Sequence, residues 1–61
     1  MQVGDLVKVK SGHPGVIFCV IDFKTGRDGK CVAVLKGIYN EAFMAEAPLE
    51  ELINVLPKDK L

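Results

Sequence analysis

The sequence predicts a small all-β barrel of about five antiparallel strands with one short helical turn before the last strand. Three observations carry that expectation. Val7 and Val9 alternate with Lys8 and Lys10, the period-two signature of a half-buried strand. Glycine and proline cluster at Gly12-His13-Pro14-Gly15, and Asp28-Gly29 marks a second turn, so short strands are separated by tight connections. Sixty-one residues leave room for one core only. The domain is expected to span residues 1–57, followed by a polar tail over 58–61.

The first strand is placed at about Gln2 to Lys10. Ser11 to Gly15 ends it, because two glycines tolerate positive φ and Pro14 fixes its own backbone and lacks an N–H. The second strand runs from about Val16 to Phe23. Its residues Val16 to Ile21 are all apolar, which fits a long bent strand covered on both faces, with Phe18 and Val20 on one and Ile17 and Ile21 on the other. Lys24 to Gly29 is the hairpin connection. A third strand follows over about Lys30 to Lys36, and a fourth is expected over Ile38 to Met44, with Tyr39, Glu41 and Phe43 on one face.

Two readings fit the segment after Pro48. Leu49, Leu52, Ile53 and Leu56 recur with helical spacing and Pro48 stands where a helix begins. A single helical turn over Leu49 to Leu52 followed by a closing strand over Ile53 to Leu56, stopped by Pro57, fits equally well. It is preferred because a small barrel needs a fifth strand to protect its edges.

Composition bounds the function. The hydrophobic fraction is 49%, more than one small barrel can hide, and exposed apolar patches tend to be interfaces. No run approaches the ~20 apolar residues of a membrane span, and Met1-Gln2-Val3-Gly4-Asp5 lacks the features of a secretory signal. The chain is therefore expected in the cytoplasm, or assembled from there into a larger particle or complex. Formal charge is zero but unevenly spread. Residues 1–36 carry six cations against three acids, a net of +3, and residues 37–61 carry two against five, a net of −3. Ordinary outward-facing charges explain this, and a dipole between two faces is the sharper reading.

Cys19 and Cys31 lie in apolar strand-like runs, the usual setting of a buried thiol. With the hairpin turn near Gly26-Arg27, Cys19 falls opposite about Leu35, so two reduced core thiols are expected. Two cysteines and one distant histidine are too few for a structural zinc site, and no metal or cofactor is expected. No catalytic constellation appears. His13 has no paired nucleophile, Ser11 reads as a turn residue, and adjacent Glu50 and Glu51 diverge on a strand or helical turn. Gly12 to Gly15 lacks the Lys-Ser/Thr and helix of a phosphate loop. The chain is expected not to be an enzyme, and no small-molecule substrate is evident.

Gly4-Asp5, Val7, Lys10-Ser11-Gly12 and Pro14 resemble the opening of the YodC-like family of small uncharacterised bacterial proteins. Similarity continues through Cys31-Val32, Gly37, Glu41-Ala42-Phe43 and Pro48-Leu49. His13 stands where that family tends to have glycine, and its Trp after the cysteine is missing here. The order of elements also resembles other SH3-like barrels, among them the KOW module of ribosomal and transcription proteins and the small stromal barrel subunit of photosystem I. These resemblances imply an SH3-like barrel and are nearly silent on function.

Two function classes remain, beside the plainer reading of a standalone fold that meets a regulatory partner only transiently. The preferred one is a protein-docking or accessory subunit of a larger assembly, such as a viral particle or host-interaction accessory protein. It would bind a protein partner or a second copy through Ile38, Tyr39, Phe43, Met44, Leu49 and Leu56. The alternative is nucleic-acid binding through Lys8, Lys10, Lys24, Arg27 and Lys30, with Phe23 or Tyr39 stacking on bases. Against it stand zero net charge and an aromatic fraction of 7%.

Overall fold

A computed structural model describes residues 1–40 and 42–55. The expected residues Glu41 and Leu56, and the tail over 58–61, lie outside the described set. Five strands form one antiparallel sheet in the order β4-β3-β2-β1-β5. They are β1 (Leu6–Val9), β2 (Phe18–Thr25), β3 (Cys31–Gly37), β4 (Met44–Pro48) and β5 (Leu52–Asn54), with a 3-10 turn over Leu49–Glu51 before the last. This is the expected small barrel layout, and the closing-strand reading of the last segment holds over Leu52–Asn54.

The Gly4-Asp5 opening is backbone engineering. The Asp5 N–H donates to the Gln2 carbonyl (3.1 Å), closing a turn in which Gly4 has φ of +97°. Its N–H then donates to the Val20 carbonyl (2.8 Å), and the Val20 N–H donates to the Asp5 carbonyl (2.9 Å). Gly4 and Asp5, just ahead of β1, thus both bond Val20 of β2, the arrangement of a bulge whose first position wants glycine. The Asp5 carboxylate accepts from the Gln2 N–H at 2.9 Å and locks the turn. A Cβ at Gly4 would meet nothing within 4 Å, so the φ alone penalises a side chain. Gly4→Ala is therefore expected to cost about 1 kcal/mol, read as a lowered urea midpoint with an unchanged slope. Wild-type stability in that variant would show that the turn relaxes freely.

β2 starts only at Phe18, and the expected cover of both faces fails at Ile21, because a register shift interrupts the strand there. Val20 pairs with Leu35, whereas Asp22 pairs with Val34, which leaves Ile21 as the extra residue. Phe18 and Val20 are fully buried, Phe23 is half-buried against the core, and Ile21 is turned to solvent. The apolar run therefore serves the core before and after the bulge. The hairpin that follows is closed by Gly29 N–H to Gly26 C=O (3.0 Å) and Gly26 N–H to Lys30 C=O (2.7 Å), with Gly29 at φ +81°. That is the three-residue loop with glycine in the left-handed position that Asp-Gly signals.

The fourth strand differs from expectation. Ile38 to Asn40, Ala42 and Phe43 form no strand, and β4 begins only at Met44. The Gly37 N–H donates to the Phe43 carbonyl (2.8 Å), and the Phe43 N–H donates to the Asn40 carbonyl (2.9 Å). The Asn40 side chain also accepts from the Ala42 N–H (3.2 Å). An asparagine that mimics a backbone turn overrides the apolar alternation that suggested a strand.

The core consists of Val7, Phe18, Val20, Ala33, Leu35, Ala47 and Leu52. His13 caps it, its ring edge-to-face with Phe18 (5.6 Å) and Phe43 (5.2 Å), which themselves meet at 5.5 Å. It does so from a left-handed backbone conformation, φ +48°. Cys19 and Cys31 are free thiols, but neither joins the core as expected: Cys19 is half-buried on the outward face and Cys31 is exposed at the start of β3. Cys31 pairs with Thr25, six residues along β2 from Cys19, so about 20 Å of strand separates their levels. That is too far for a disulfide.

Candidate functional site

Ile38, Tyr39 and Met44 come together at one end of the sheet, where β3 hands over to β4. Tyr39 is 85% exposed, and Ile38 and Met44 also remain exposed. The segment that carries Ile38 and Tyr39 is held at both ends. Gly37 bonds Phe43 across its neck, and the Ile38 N–H donates to the Ile17 carbonyl (3.1 Å) beside the start of β2. Gly37 allows the close approach, since a Cβ there would lie 2.9 Å from the Asn40 carbonyl oxygen.

Phe43 and Leu49 sit differently. Both are half-buried and packed against the core, so neither contributes a free apolar face like that of Tyr39. Leu56 lies outside the described residues. Four exposed apolar side chains were not anticipated as surface, Met1 at the chain start among them. Ile21 is turned out by the bulge, Ile53 by the outward phase of β5, and Val3 by the opening turn. The sequence places the closing strand from Ile53, one residue later than β5 begins, so the inward Leu52 and outward Ile53 of β5 go unread. The bulge leaves no signal in an all-apolar run.

On the outward face a row of side chains crosses four strands, Leu6 beside Cys19, Cys19 beside Lys36, and Lys36 beside Met44. Met44 is the exposed end of that row.

The basic residues form no single platform. Lys8 and Lys10 are exposed at β1, whereas Arg27 and Lys30 sit at the β2–β3 hairpin. Lys24 is held by Glu46 at 2.7 Å, with both side chains about half exposed (52% and 50%). Solvent screening keeps such a pair to about 0–1 kcal/mol, but it neutralises one of the five cations of the expected patch. Phe23 is spent on the core, which removes it as a stacking surface.

A shallow open cleft of about 260 Å³ lies between the hairpin and the 3-10 turn, lined by Lys30, Cys31, Pro48, Leu49 and Glu50. It offers no nucleophile paired with a base, and Glu50 and Glu51 lie in the 3-10 turn. The hydroxyl of Ser11 donates to Glu51 Oε1 (2.7 Å) and the Lys10 N–H donates to the Glu51 carbonyl (2.7 Å). Glu51 thus ties the 3-10 turn to the end of β1. Among the described residues, no three His, Cys, Asp or Glu side chains come together as a metal site, and no helix is long and apolar enough to cross a membrane. Compared with known proteins, the chain matches no family model, no curated sequence and no solved structure.

Proposed function

We propose that this chain is a non-enzymatic docking module, a small barrel that joins a protein partner as an accessory subunit of a larger assembly. A viral particle or a host-interaction complex is one such setting. The observation that carries the reading is Tyr39, almost fully exposed between Ile38 and Met44 on a loop fixed by backbone bonds at both ends. A large aromatic presented by an ordered loop loses little conformational entropy on binding, and such residues dominate interface energetics.

The similarity to YodC-like proteins is compatible with this reading but supports it little. Gly4, Asp5, Val7 and Pro14, which carry that similarity, serve the turns and the core. Nucleic-acid binding is the weaker reading, because Lys24 is paired and Phe23 is packed inward.

The test is capture from native lysate with wild-type protein and Tyr39→Ala, each with and without nuclease. The expected result is a nuclease-resistant protein partner whose affinity falls about 30-fold or more in the variant, at unchanged thermal stability. A partner lost on nuclease treatment, or held equally by Tyr39→Ala, would overturn the proposal.

A further inference from the structure

We infer that the free edge of β4 pairs antiparallel with the β4 of a second copy of this chain, in a register that sets Met44 opposite Glu46. This inference goes beyond the docking reading and stands apart from Tyr39, although Met44 belongs to the same end of the sheet.

β4 is an edge strand, bonded on one side to β3. Its register with β3 places Leu35 opposite Ala45 and Ala33 opposite Ala47, and Gly37 bonds the carbonyl of Phe43. Bonded positions alternate along an antiparallel pair, so Phe43, Ala45 and Ala47 turn their backbone groups to β3. Met44 and Glu46 turn theirs outward. Pro48, the next outward position, has no N–H to offer. Among the described residues no backbone bond crosses this edge. A row of outward donors and acceptors is complementary to one kind of partner, an extended strand.

Charge and side-chain size favour a second copy. The chain has zero net charge, so two copies approach without bulk repulsion. A two-fold axis beside Ala45 would set Met44 opposite Glu46 of the second copy twice, with alanines on the inner face at the centre. Pairing Glu46 with itself would place like charges directly opposite, which is unfavourable. In the favoured register, Lys36 lies beside Met44 within one copy, and Glu46 of the second copy lies on the other side of Met44. Lys24 and Glu46 already span β2 to β4 within one chain at 2.7 Å. Lys36 can therefore reach the second copy's Glu46 across Met44 in the same way. The exposed Met44 side chain is covered between them.

Amide hydrogen exchange on the full chain tests the strand pairing directly. Ala45 and Ala47 should be protected at every concentration. Met44 and Glu46 should exchange fast when dilute and slow at least about tenfold as concentration rises toward ~1 mM. Exchange at those two amides that is independent of concentration, whether fast or slow, would overturn the inference. Two variants test the register by sedimentation. Met44→Lys should tighten self-association several-fold by facing Glu46, and Met44→Glu should weaken it several-fold. Weakening by both substitutions would show simple apolar burial and remove the proposed register. The docking reading fails separately. Capture insensitive to Tyr39→Ala, alongside concentration-dependent protection of Met44 and Glu46, would sink the accessory-subunit function and leave strand pairing standing.

Discussion

Phe18→Ala is expected to leave the protein unfolded, or nearly so, at room temperature. Phe18 is fully buried on the inner face, with Val7 and Gly37 as its cross-strand partners. Its ring meets His13 and Phe43 edge-to-face. Truncating a buried phenylalanine costs about 3–5 kcal/mol through lost transfer energy and the cavity left behind. A core of this size rarely supplies more than about 3–5 kcal/mol in total, so the two quantities are comparable. Urea titration followed by circular dichroism should show no folded baseline for Phe18→Ala. Phe18→Leu, which keeps most of the volume, should retain a cooperative transition. A Phe18→Ala protein that unfolds cooperatively within about 1 kcal/mol of wild type would mean that the aromatic cluster contributes little. The left-handed φ of His13 would then have no packing reason.

The same residues show what sequence could reveal. The alternation of Val7 and Val9 located β1, and Asp28-Gly29 located the β2–β3 hairpin, because period two and a left-handed glycine are local properties. The position of β4 was not local. Met44-Ala45-Glu46-Ala47-Pro48 contains residues of low strand propensity, and it becomes a strand because β3 pairs with it. The more strand-like Ile38 to Asn40 and Phe43 are held out of the sheet by the turn bonds at Gly37 and Asn40. The candidate surface was legible in part for the same reason. Ile38, Tyr39 and Met44 are exposed, but Phe43 was grouped with Tyr39 by an alternation that the loop destroys. In a two-faced strand a shift of one residue exchanges inside and outside, and the bulge at Ile21 does this within β2.

Gly37→Ala is expected to cost about 1–3 kcal/mol, and for a reason different from that at Gly4. Gly37 lacks the positive φ seen at Gly4, so its backbone suits any residue. The obstacle is space, because an added Cβ would sit 2.9 Å from the Asn40 carbonyl oxygen and 3.5 Å from Phe43. That oxygen is a backbone atom in a turn closed by Phe43, so it can retreat only if the loop opens. Overpacking of this kind costs about 1–3 kcal/mol, less than the whole stability of the domain. The variant should remain folded with a lowered urea midpoint. Faster amide exchange should be confined to Gly37, Ile38 and Phe43. Stability within about 0.5 kcal/mol of wild type, with unchanged exchange at those amides, would show that the turn accommodates a methyl group freely. The loop that Gly37 closes also presents Tyr39, so partner capture should weaken along with stability in Gly37→Ala. In Tyr39→Ala capture should weaken alone. That pair of outcomes separates the ordering of the loop from the side chain it displays, and both contributions are needed if a pre-ordered aromatic is the source of the affinity.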